Sequence, residues 1–99
     1  MANPYAIKLA PGAIEDIKEA IVWYKSRLSS GLVAHFIKQL DESLVQLAHL
    51  PGKGSIRYSN IRCTLVKKFP YMIHYAINKN SKEIIVYRIF CTFRKPLWE

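Results

Sequence analysis

Residues 5–9, YAIKL, alternate apolar and polar positions and predict a short strand. Pro11 and Gly12 then break the pattern, and Pro11 suits a first helical position. Beyond them the period changes. Ile14, Ile17, Ile21, Tyr24 and Leu28 recur at three- and four-residue steps, which predicts a helix from about Gly12 to Leu28 with one buried stripe. Glu15 and Asp16 suit the positive end of its dipole. Ser29, Ser30 and Gly31 interrupt it. A second helix follows from about Leu32 to Leu50, with Val33, Phe36, Ile37, Leu40, Leu44, Leu47 and Ala48 as its stripe and Pro51-Gly52 as its stop. So short a link makes the two helices an antiparallel hairpin. Each has one apolar face, so the hairpin needs a sheet to lie on.

Residues 53–60, KGSIRYSN, read as a loop with room for a short extended piece. Strands are predicted at about 61–67, 70–78 and 83–93, with turns at Phe69-Pro70 and at Asn78-Lys79-Asn80-Ser81. Such links require an antiparallel meander. The expected fold is α+β, in the order β-α-α-β-β-β, with a helix hairpin on one face of a mainly antiparallel four-stranded sheet. Ninety-nine residues suit one domain, spanning 1–99.

Strand alternation assigns side chains to faces. Ile61, Cys63 and Leu65, then Tyr71, Ile73, Tyr75 and Ile77, then Ile85, Tyr87, Ile89 and Cys91 are expected under the helices. The uncovered face then gathers Arg62, His74, Arg88 and Arg94 among Val66, Met72, Val86 and Phe90. A bulge in the last strand would invert part of this. Cations among apolar groups suit a groove for an amphipathic, acidic chain.

Charge sharpens that picture. Residues 1–50 carry five basic and five acidic residues, whereas residues 51–99 carry ten basic residues against Glu83 and Glu99, so the whole net charge of +8 lies in the second half. Such asymmetry points to an anionic partner, nucleic acid or an acidic protein segment. No apolar run is long enough to cross a bilayer, so no membrane is expected. The start MANPYAIKLAPG has no basic stretch followed by a long apolar one, so a cytoplasmic location is expected. Cys63 and Cys91 are too few for a disulfide scaffold or a structural zinc site, and strand parity does not make them neighbours. No metal or cofactor is expected.

The segments AIEDIKEAIVWY, GLVAHFIKQLDESLVQLAHLP, IRCTLVKKFPYMIHYAI and IIVYRIFCTFRKPLW, in this order and spacing, resemble the RelE/ParE superfamily of bacterial toxins from type II toxin–antitoxin pairs. The long helix hairpin with Trp23-Tyr24 near the end of helix 1 is closer to the ParE branch. The resemblance implies a growth-arresting toxin neutralised by a cognate antitoxin whose C-terminal segment wraps the sheet and helices. ParE-like members act on DNA gyrase; RelE-like members cut mRNA in the ribosomal A site. Many relatives have His where this chain has Cys91.

Cleaving RNA needs a base for the 2′-OH, charge stabilisation at phosphate and an acid for the leaving oxygen. Arg62, Arg88 and Arg94 are candidates to clamp phosphate, and Arg62 and Arg88 are similar to basic residues on the matching strands of RelE-type nucleases. His74 is the candidate proton carrier, with Lys53 and Arg57 preceding the sheet. No tyrosine follows Tyr87, so the C-terminal tyrosine typical of RelE is missing; Trp98 lies there but cannot exchange a proton. His35 and His49 lie apart on helix 2 and read as surface residues, and Gly52 and Gly54 read as a turn. The favoured expectation is a ParE-like inhibitor whose partner contacts are Arg62, His74, Arg88 and Arg94, with Trp23 as an exposed interface anchor. The alternatives are a ribosome-dependent mRNA endonuclease, or a non-toxic relative that binds an antitoxin or nucleic acid.

Overall fold

The computed structural model describes residues 4–27 and 30–92. The elements are β1 (Ala6–Leu9), α1 (Pro11–Arg27), α2 (Ser30–His49), a 3-10 turn (Pro51–Lys53), β2 (Ser55–Tyr58), β3 (Ile61–Leu65), β4 (Tyr71–Asn78) and β5 (Glu83–Cys91). The sheet order is β1-β5-β4-β3-β2. β1 runs parallel to β5, and the other pairs are antiparallel. The α+β class and the element order match expectation, with a fifth strand added. β2 lies in the stretch read as a loop. Only four residues long, it folds back on β3 through a turn where Ser59 has φ 47°, and its register shifts between Ile56 and Tyr58. Among the described residues, no helix is long and apolar enough to cross a membrane.

The core lies between the helices and one sheet face. It joins Ala13, Ala20 and Tyr24 of α1, Phe36, Leu40 and Leu47 of α2, and Tyr71, Ile73, Tyr75, Ile84, Val86 and Ile89 of the sheet. Tyr24, Phe36, Phe69 and Tyr71 form one aromatic cluster, with ring centroids 5.2–6.3 Å apart. The stripe on α1 is rotated from the expected one. Ala13, Asp16, Ala20 and Tyr24 face inward, while Ile14 is exposed. The cause is close approach to β5: a Cβ at Gly12 would come 2.8 Å from Arg88 Cδ and 3.1 Å from the Tyr87 carbonyl oxygen. Small residues must line such a contact. On α2, Ile37 is likewise exposed, and Gln39 and Ser43 take buried positions. Ser43 Oγ is accommodated there by donating to the Gln39 carbonyl at 2.8 Å.

Two of the expected strand faces are inverted. In β5, His74 opposes Arg88 but Tyr75 opposes Val86, so Tyr87 is an extra residue in a bulge. Ile84 and Val86 therefore enter the core in place of Ile85 and Tyr87. In β3, Arg62 opposes Tyr75 and Cys63 opposes His74. Arg62 thus lies on the helix face, while Ile61, Cys63 and Leu65 lie on the outer one. The turn before β4 sets this register: Val66 and Phe69 are buried within it and Lys68 adopts φ 68°. In β3 period-two alternation points the other way, because its apolar set lies outward while Arg62 and Thr64 lie on the helix face. Cys63 and Cys91 are free thiols on opposite faces.

The bulge makes adjacent isoleucines unequal. Ile84→Ala is expected to cost about 2–5 kcal/mol and Ile85→Ala less than about 1 kcal/mol. Urea unfolding of both variants checks this, and an equal or reversed loss contradicts the register.

Candidate functional site

On the outer sheet face the strand register assembles a cluster of chemistry-bearing side chains around β4 and β5. His74 and Arg88 are cross-strand partners, and Met72 opposes Phe90 beside them. Tyr58 joins from β2. Around this cluster Leu65 and Tyr87 are exposed, and Ile61, Met72, Ile85 and Phe90 are half-buried. The face is an apolar surface with Arg88 near its centre, and Arg62, expected beside it, lies on the other face.

Arg88 is held from below. Its Nε and Nη2 donate to the Asp16 carboxylate at 2.8 and 2.9 Å, and the Ile89 amide donates to Asp16 Oδ2 at 2.8 Å. β1 pairs with β5 only as far as Val86, so beyond that point the β5 edge is capped by this carboxylate. Asp16 is buried and the Arg88 side chain is 37% exposed. The hydrogen bonds to Asp16 hold the Arg88 guanidinium in its charged form more firmly than usual. The remaining guanidinium surface stacks over Phe90, with Cζ 4.3 Å from the ring centroid. Asp16 is therefore a clamp on β5 rather than a partner of its own helix dipole. Glu15 pairs instead with Lys18 on the surface, at 3.7 Å.

His74 is fully buried. Its Nδ1 shares a hydrogen bond with the Tyr58 hydroxyl at 3.0 Å and lies 3.6 Å from Cys63 Sγ, and its ring meets Phe90 edge-on at 5.1 Å. Burial first, and then the neighbouring Arg88 charge, push its pKa from 6.5 down to about 4. Burial raises the Cys63 thiol and the Tyr58 hydroxyl. At neutral pH the cluster holds an uncharged imidazole, thiol and phenol under one arginine.

The other expected site residues lie elsewhere. Arg62 is on the opposite sheet face, where Nη1 donates to the Gly54 carbonyl at 2.8 Å. Arg94 and Trp98 lie outside the described residues. Trp23 is exposed on α1, as expected, beside exposed Val22 and with Arg27 Cζ 5.5 Å from its ring centroid. Lys53 is engaged with Gln46 Oε1 at 2.7 Å, and Arg57 is exposed at the β2 irregularity. His35 lies edge-on to Phe69, and His49 Nδ1 donates to the Val45 carbonyl. Among the described residues, no three His, Cys, Asp or Glu side chains are grouped to hold a metal.

Sequence reasoning missed Asp16 and Tyr58. For Asp16 a signal exists: Ala13, Asp16, Ala20 and Tyr24 follow helical spacing and set a carboxylate within a stripe of small residues. For Tyr58 there is none, because the strand carrying it is four residues long.

The model of the family described as ParE toxin of type II toxin–antitoxin system, parDE, matches residues 7–96. Among curated proteins, none matches the chain. Solved structures share the fold at low identity. The chromosomal ParDE toxin–antitoxin system from P. aeruginosa matches with TM-score 0.74 and 15% identity over 89% of this chain and 96% of that one. The intact RelBE toxin–antitoxin complex of E. coli matches with TM-score 0.61 and 15% identity over 86% and 93%. The isolated RelE toxin of E. coli matches with TM-score 0.64 and 14% identity over 95% and 90%.

The depressed His74 pKa fixes a pH dependence. Between about pH 4 and 6.5 the unfolded chain binds the proton that folded His74 refuses. Stability is therefore expected to rise with pH across this window, by on the order of 3 kcal/mol, and to fall as the pH is lowered through it. Urea midpoints from pH 4 to 7 check this. His74→Phe is expected to flatten the slope, and an unchanged slope contradicts the assignment.

Proposed function

The chain belongs to the ParE toxin family of type II toxin–antitoxin systems, and we propose that it arrests growth by binding and inhibiting DNA gyrase and is neutralised by a cognate antitoxin. The observation that carries the choice of a binding inhibitor over a nuclease is the division of the basic residues by the sheet. Arg62 and Arg88, the pair offered for phosphate, lie on opposite faces. Arg88 is already bidentate to Asp16. His74, with a pKa of about 4 and no exposed surface, is too weak a base and too deeply enclosed to exchange protons with a substrate hydroxyl at neutral pH.

The antitoxin reading draws on charge and surface. Proteins solved as toxin–antitoxin assemblies share this fold. The apolar outer face, with Leu65, Met72, Tyr87 and Phe90 around Arg88, suits the apolar side of an amphipathic segment, with one acidic residue reaching the guanidinium. His74 takes part from underneath, by fixing Tyr58 and Phe90, and not by direct contact. The Val22–Trp23 surface of α1 lies away from this face and is our choice for contact with gyrase.

The test adds the purified chain to DNA gyrase, ATP and relaxed plasmid, and in parallel maps messenger ends after induced expression. Supercoiling is expected to fail while messenger ends stay unchanged, and the antitoxin encoded beside the chain is expected to restore both supercoiling and growth. Codon-phased cuts with normal supercoiling would overturn the proposal.

A further inference from the structure

Arg62 reaches a second site. A pocket of about 370 Å³ opens on the helix face where the sheet runs past the end of α2. Arg62, Lys79 and His49 line it together with apolar Tyr5, Ala48, Pro51 and Ile77. Among the described residues, no aspartate or glutamate lines it. Strand alternation places Arg62, which stands opposite Tyr75 on the side that Ile77 shares, and Lys79 reaches the pocket from the turn that follows β4.

Its walls are fixed by buried and part-buried hydrogen bonds. The Tyr75 hydroxyl donates to the Pro51 carbonyl at 2.8 Å and accepts from the Gly54 amide at 2.9 Å. Arg62 Nη1 donates to the Gly54 carbonyl, so the guanidinium is anchored by one edge of its fork. Position 54 tolerates only glycine, since a Cβ there would lie 2.7 Å from both the Cys63 carbonyl oxygen and the Tyr75 hydroxyl. The last-turn carbonyls of α2, a source of negative potential, already accept hydrogen bonds. Val45 accepts from His49 Nδ1, Gln46 from the Leu50 amide and Ala48 from the Tyr5 amide.

An anchored guanidinium with Lys79 nearby, set among apolar walls and with no carboxylate among the described lining residues, makes a receptor for an anion carried on an apolar frame. We propose that this pocket receives a glutamate or aspartate side chain of the acidic antitoxin segment, as an anchor on the far side of the sheet from Arg88. This rests on the antitoxin reading above. A nucleic-acid backbone fits less well, because its evenly spaced phosphates require a track of cations and this pocket holds its charge in one place between apolar walls.

The test follows amide resonances of the ¹⁵N-labelled chain. The probe is an acetylated, amidated hexapeptide of alternating leucine and glutamate, with its leucine–glutamine counterpart and inorganic phosphate as controls. The glutamate peptide is expected to shift residues 49–54 and 77–80, and the glutamine peptide is not. Lys79→Glu, a surface change that leaves the buried bonds intact, is expected to weaken binding at least tenfold, and Arg62→Gln similarly. Arg88→Gln, on the other face, is expected to leave these shifts in place. Absence of shifts at these residues, equal shifts in Lys79→Glu, or phosphate binding more tightly than the peptide would each overturn the pocket. Rescue of growth by the neighbouring antitoxin reports separately on the partner: a chain that is rescued but ignores the peptide loses only the pocket.

Discussion

The Asp16 carboxylate joins the first helix to the last strand, and the arrangement of both sheet faces follows from that junction. Three N–H groups converge on it, two from the Arg88 guanidinium and one from the Ile89 backbone. The strand bulges at Tyr87 immediately before this point. A bulge leaves a backbone group without its ladder partner, and β1 has ended by then, so an acceptor must come from elsewhere. A buried carboxylate meets that need and is itself repaid by a charged, bidentate donor. Gly12 allows the close approach of helix to bulge that brings Asp16 there.

The bulge decides which chemistry each face presents. It directs Ile84, Val86 and Ile89 into the core and brings Arg88 to the outer face beside His74. Held between Asp16 and Phe90, Arg88 keeps its charge at the centre of an apolar surface and lowers the proton affinity of the histidine beneath it. Meanwhile the β3 register sends Arg62 through the sheet to the opposite side. The charges of Arg88 and Arg62 are therefore presented on opposite faces of the sheet, at two separated points rather than at one centre. An elongated segment that wraps the edge of the sheet is the kind of ligand that reaches both.

Helices and element order were legible because long three- and four-residue periodicities and the Pro-Gly stops speak for themselves. The exposed Trp23 was legible as well, whereas Cys63, expected under the helices with Cys91, lies on the outer face. The faces were harder. In β3, alternation favours the wrong set: Ile61, Cys63 and Leu65 are apolar and expected in the core, but the register set by the buried turn residues Val66 and Phe69 puts Arg62 and Thr64 on the helix face. In β5 the run Ile84-Ile85-Val86 hides the point where the strand changes face, since every candidate for the core is a branched aliphatic residue. Arg62 leaves the expected arginine cluster for the first of these reasons, while Arg88 keeps its expected place on the outer face beside His74. What replaces that cluster depends on Asp16, a residue whose pattern among Ala13, Ala20 and Tyr24 was visible but whose partner lies more than seventy residues away.

Amide hydrogen exchange on the chain and on Asp16→Ala tests this junction most directly. The account predicts that the substitution speeds exchange of the Ile89 amide at least tenfold relative to the Ile73 amide, which stays within the β3–β4–β5 ladder. An unchanged ratio of the two rates would contradict it, for then the last strand would keep its bend without the carboxylate.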